Sequence, residues 1–157
     1  YGPSSVCYQL DLIRDEIKKI NKNQKLIFLN ISELTPFTSI LNLTYPENLP
    51  LWFHEGVTLF EREKEIIREG LSNQNYDLIA LQAAHENWSP FYDEILNNLI
   101  LSSNYREIGR EQYLSPRGSL YESIAGKCET SLSVNYSFSK ECELYLKPIR
   151  FFIRTNI

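Results

Sequence analysis

Leu10, Ile13, Ile17 and Ile20 recur at the three- and four-residue spacing of one helix face, so residues 8–21 are expected to form an amphipathic helix. The polar run 21–24 ends it. Residues 26–34 are mostly apolar with little alternation, which fits a buried strand or a buried helix. Pro36 argues against one long helix here, because it lacks an N–H and clashes with the preceding turn. Residues 45–50, carrying Pro46 and Pro50, read as a turn-rich connection. From Trp52 onward Val57, Leu59, Phe60, Ile66 and Ile67 gather on one side while Glu, Arg and Lys fill the other. That pattern predicts a helix stopped at Gly70. Residues 75–84, with Leu78, Ile79 and Leu81, read as helical again. Ser89 and Pro90 make a good helix start, a capping hydroxyl followed by Pro in the first turn. Phe91, Ile95, Leu96, Leu99 and Ile100 supply the apolar stripe behind it.

The period then changes. Ser119 and Glu122 form a capping-box pair before a short helix expected to end at Gly126. Leu132, Val134, Tyr136 and Phe138 alternate strictly, as do Ile149, Phe151 and Ile153, which predicts a hairpin or two paired strands. The expected fold class is therefore α+β: a mainly helical body over residues 1–127, then a C-terminal antiparallel β-hairpin over 128–157 that could open a following β-domain.

A chain of 157 residues fits one domain with a sizeable core. A net charge of −4 gives no reason to expect nucleic acid or an anionic membrane as partner. No apolar run approaches the roughly 20 residues of a membrane span, and no basic-then-apolar leader opens the chain. The sequence holds no Met, not even at position 1, so a processed product or a piece of a longer protein is expected. Four Asn-X-Ser/Thr sequons, at Asn30, Asn42, Asn87 and Asn135, point to a secreted protein or the extracellular face of the cell surface; Pro90 weakens the third. In an oxidising compartment Cys128 and Cys142 are the natural disulfide, because they flank the expected hairpin. Cys7 is then odd: a free thiol, a bridge to another chain, or half of a bond to a missing segment.

His54-Glu55 invites a metal reading. A helical zinc motif needs two His four residues apart, so that both imidazoles reach one ion, and the residue four after His54 is Thr58. The other histidine, His85, has no ligand spacing to anything. Two partly exposed histidines on helices explain the pattern more simply than a site assembled from His54, His85 and a carboxylate. There is no Gly-X-Ser-X-Gly elbow and no phosphate-cradling loop. The carboxylates over 55–69 read first as a solvated helix face.

The segment Trp52-Phe-His-Glu-Gly56 resembles the Trp-X-X-Glu-Gly segment of gluzincin metallopeptidases, especially the aminopeptidase N type. In that family the Glu is the third zinc ligand and follows a His-Glu-X-X-His helix at a fixed interval. Counting back from Glu55 by that interval lands on Ser32-Glu33-Leu34-Thr35-Pro36. Glu33 then stands where the family has its general base and Glu55 where it has its ligand, while Ser32 and Pro36 replace both histidines. Ser115-Pro-Arg-Gly118 resembles the family's Tyr-X-Lys-Gly segment, with Ser115 in place of the transition-state tyrosine, and residues 143–152 resemble the Arg-Phe strand of its next domain. The resemblance implies a peptidase-like chain that has lost its metal ligands, so neither zinc nor another cofactor is expected. It implies no intact catalytic site.

Leu51-Trp52-Phe53-His54-Glu55 also resembles half of an active-site segment of secreted acid ribonucleases of the plant self-incompatibility type. There His54 and Glu55 would be acid/base groups for phosphodiester transfer. The Lys-His-Gly half of that segment is replaced by Thr58-Leu59-Phe60, and no His-Gly-Leu-Trp segment precedes it. The sequence thus predicts a non-catalytic secreted or cell-surface glycoprotein module that works by binding a protein or peptide, or as a structural part. A ribonuclease-like protein or an unrelated secreted interaction domain are the alternatives.

Overall fold

The computed structural model describes residues 4–20, 25–32, 36–53, 56–82, 89–108 and 149–155. They form helices α1 (Ser4–Lys19), α2 (Pro36–Ile40), α3 (Glu61–Ser72) and α4 (Ser89–Leu101), and strands β1 (Phe28–Ile31), β2 (Leu78–Gln82), β3 (Tyr105–Ile108) and β4 (Ile149–Arg154). The chain is α+β. The four strands make one sheet in the order β1-β2-β4-β3. Strand β1 runs parallel to β2, with Phe28 opposite Leu78 and Ile31 opposite Leu81. Strand β4 is antiparallel to both neighbours, Ala80 facing Phe151 on one side and Ile108 facing Phe151 on the other.

Alternate residues of a strand point to opposite faces, and each face here carries its own core. Phe28, Leu78, Ala80, Ile149, Phe151 and Ile153 pack with Leu10 and Ile13 of α1 and with Phe37 of α2. Leu29, Ile31, Ile79, Leu81 and Phe152 pack with Ile67 and Leu71 of α3 and with Phe91, Ile95 and Leu99 of α4. The sheet is therefore the middle of three layers. Arg68 of α3 spans to Glu94 of α4 with paired bonds of 2.6 and 2.9 Å and lies 5.3 Å from the Phe91 ring centroid.

The expected helix over 8–21 is α1, starting earlier, at Ser4. The ambiguous run 26–34 contains strand β1, and α4 begins at Ser89, where a helix start is expected. Two expectations fail. The described part of 75–84, residues 75–82, is not helical: 78–82 form β2, buried at every position. A strand covered on both faces loses the alternation that would identify it. The helix expected from Trp52 begins only at Glu61. Gly56, at φ 73°, turns the backbone before it, and the Glu63 carboxylate caps the Phe60 N–H at 3.1 Å.

Gly70 does not stop α3. The helix runs on to Ser72 and closes in a Schellman motif, with Asn75 N–H donating to Gly70 O at 2.8 Å and Gln74 N–H to Leu71 O at 3.2 Å. Gln74 occupies the left-handed position at φ 57°. Gly70 is required for another reason: a Cβ there would overlap the Tyr76 phenol, which crosses over it.

Of the expected C-terminal β-region, strand β4 is described, and it lies inside the same sheet as β1 and β2. The expected partner strand 132–138, the helix ending at Gly126 and the boundary at 127/128 lie outside the described residues.

Candidate functional site

Two features of the described surface can meet a ligand. The first is the loop between Leu51 and Phe60. Its backbone turns at Gly56, whose N–H donates to Leu59 O at 3.2 Å, and the Thr58 hydroxyl donates to Trp52 O at 2.8 Å. Phe53 and Leu59 are buried and anchor the loop to the α3/α4 side of the sheet. Between these anchors Leu51 is 68% exposed, Trp52 48%, Val57 55% and Phe60 53%. A scattered exposed apolar residue is ordinary, but four within ten positions of one tied loop are not.

The second is a cleft of about 770 Å³ at the end of the sheet where β1 and β2 begin and β4 finishes. Asp77 organises its floor. Its carboxylate accepts from Ile27 N–H at 2.8 Å and from the Arg154 guanidinium at 2.6 Å, tying β1, β2 and β4 together. Arg154 also donates to Gln74 O at 2.5 Å, while its Nε is buried with no hydrogen-bond partner among the described residues. Tyr45 and Tyr76 form the aromatic wall. Tyr45 donates to Pro50 O and Tyr76 to Ile66 O at 3.3 Å. Burial pushes the Tyr45 phenol well above its ordinary range. Burial, with lesser help from Tyr105 and Glu69, pushes Tyr76 up to about 12. Both phenols therefore stay neutral through the physiological range. Asn48, Asn73, Gln74 and Asn75 ring the mouth, with Lys25, Glu47 and Glu69.

The residues singled out from sequence are dispersed. Ser32 sits at a bend just after β1, its hydroxyl donating to Asn30 Oδ1 at 2.5 Å. Pro36 is the first residue of the short helix α2. The positions that would correspond to a zinc-binding helix are thus flanked by a strand and bend on one side and a five-residue helix on the other. Ser32 and Pro36 supply no imidazole, so the described positions do not fit a zinc ion of the gluzincin kind. Among the described residues no group of three or more His, Cys, Asp or Glu could hold a metal ion. His54, Glu55, Glu33 and Ser115 lie outside the described residues, as do His85, Cys128, Cys142, Asn87 and Asn135. Cys7 belongs to α1. Asn30 is 1% exposed within β1, whereas Asn42 is exposed in the turn after α2.

Sequence reasoning singled out neither the cleft nor Asp77 and Arg154, because 77 residues separate the partners of that ion pair. The loop was within its reach, since Trp52 and Gly56 stand in the resembling segment. Among the described residues no helix is long and apolar enough to cross a membrane. Comparison with family models, curated proteins and solved structures finds no match for this chain.

Proposed function

We propose that this chain is a non-catalytic recognition module whose contact surface is the loop 51–60. The observation that carries the reading is the exposure of Leu51, Trp52, Val57 and Phe60 on a loop pinned by Phe53 and Leu59. A pinned loop loses little conformational entropy on binding, and burying large apolar and aromatic side chains supplies the driving force. The occupant that fits is a peptide or protein segment offering apolar side chains, and not a small polar molecule. The four sequons favour an extracellular setting for such a module. The resemblance to gluzincin peptidases would then mark a lost metal site, with Ser32 and Pro36 in place of the imidazoles. The binding reading does not depend on that ancestry.

The test is selection of a random displayed-peptide library against the purified chain and against a Trp52→Ser/Phe60→Ser double variant of matching circular dichroism. Selected peptides should carry apolar anchors and bind the double variant at least about tenfold more weakly, as expected when two aromatic contacts are removed. Equal binding to both proteins would sink the proposal. Stoichiometric zinc in the purified protein would overturn its non-catalytic part.

A further inference from the structure

We propose that the cleft at the sheet end is a second, independent binding site, and that its ligand class is a neutral polyhydroxylated molecule of the carbohydrate type. Its volume of about 770 Å³ lies within the range of small-molecule sites. The chemistry of the lining then selects among ligands.

An anion is disfavoured first. The cleft holds two cations, Lys25 and Arg154, against three carboxylates, Glu47, Glu69 and Asp77. The terminal nitrogens of Arg154 are engaged by Gln74 O and Asp77 and its Nε is buried away from the opening, so Lys25 is the lining cation exposed to an incoming negative charge. A wholly apolar ligand is disfavoured next, because it would desolvate the amides and carboxylates of the rim without replacing their hydrogen bonds. What remains is a ligand that both donates and accepts at many points and also carries apolar C–H faces. Asn48, Asn73, Gln74 and Asn75 offer paired donors and acceptors, Glu47 and Glu69 add acceptors, and the Tyr45 ring beside Pro46 offers a flat apolar wall.

The backbone gives a separate indication. Asn48 at φ 70° and Gln74 at φ 57° both line the cleft. Left-handed backbone is disfavoured at Gln74, which lacks the tolerance Asn has for it, and such conformations gather at binding sites. At Gln74 the Schellman geometry would be met more easily by Gly. A long amide side chain there instead puts a donor and an acceptor at the cleft mouth.

The experiment titrates the chain, observed by two-dimensional NMR, with cellobiose, maltose, lactose and N,N′-diacetylchitobiose, with sodium phosphate as charged control. At least one disaccharide should give saturable shifts centred on residues 44–48 and 73–77. Asn73→Ala and Asn75→Ala, both at exposed positions, should each weaken that binding by up to about tenfold, the effect of one lost hydrogen bond. Phosphate should neither shift those signals nor compete. The proposal is overturned if no disaccharide binds at tens of millimolar, if binding survives both variants, or if phosphate occupies the site instead. The Trp52→Ser/Phe60→Ser variant should bind the disaccharide normally, which separates this site from the loop.

Discussion

Gly70 and Gln74 show how a residue's role can differ from its sequence signature. Gly late in a helix pattern reads as a stop, yet Gly70 sits inside α3, and its missing Cβ makes room for the Tyr76 ring. The actual left-handed closing position is filled by Gln74, which no propensity argument would choose. Gly70→Ala should therefore destabilise the chain, by about 1–3 kcal/mol for an overpacked site, despite the better helix propensity of Ala. Gln74→Gly should stabilise it by up to about 1 kcal/mol, because Gly meets a positive φ without steric cost. Urea denaturation of both variants checks the pair, and a stabilised Gly70→Ala would contradict the packing. The sequons separate on the same scale. Asn30 points toward the α1/α2 core with Phe28 and is 1% exposed, whereas Asn42 is exposed at φ 53°, a conformation Asn tolerates. Folded protein from a secretory host should carry glycan at Asn42 and none at Asn30. Peptide mapping after enzymatic deglycosylation reads this directly, and substantial occupancy at Asn30 would refute it.

The elements that were legible in the sequence are those with one buried face. Helices α1 and α4 display their stripes because solvent keeps the other side polar, and the Ser-Pro start of α4 is a local signal. Strand β2 is buried on both sides, so Leu78, Ile79, Ala80 and Leu81 form an unbroken apolar run that short-range pattern cannot assign. Strand β4 alternates only partly, since Phe152 is as buried as Phe151. Its place between β2 and β3 is set by contacts with residues more than 40 positions away, which periodicity does not encode. That central place makes β4 the element whose loss matters most. Phe151 is 1% exposed, faces Ala80 and Ile108, and stacks on Phe37 with centroids 6.0 Å apart. Phe151→Ala should cost about 3–5 kcal/mol, a large part of the roughly 5–15 kcal/mol of a typical domain. Chemical denaturation measures it. A cost below about 1 kcal/mol would mean that β4 is not part of the cooperative sheet.

Across the whole molecule, the candidate sites were legible to different degrees for a physical reason. The loop 51–60 is continuous in sequence, so its Trp and Gly could be noticed, although their turn geometry could not. The cleft is assembled from four separate stretches joined through Asp77, and only the fold brings them together. The same assembly concentrates buried phenols. Tyr45, Tyr76 and Tyr105 have raised pKa values, chiefly because burial disfavours the phenolate, and for Tyr76 and Tyr105 the folded value is about 12. The Tyr105 hydroxyl donates to Tyr76 O at 3.0 Å, so ionising it would also break a buried bond. The unfolded chain releases these protons near pH 10. Between pH 10 and 12 the unfolded state therefore binds fewer protons than the folded one, and stability falls as pH rises. The contribution is fully present below pH 10. It should be lost at up to about 1.4 kcal/mol per pH unit for each such tyrosine. Urea midpoints measured at intervals from pH 9 to pH 12 should decline steeply above 10, and phenolate absorbance in the folded chain should show a late-titrating class. A Phe substitution separates the contributors: Tyr105→Phe should flatten the decline. An alkaline limb that Tyr105→Phe does not alter would show that the Tyr76–Tyr105 contact does not hold the sheet end together.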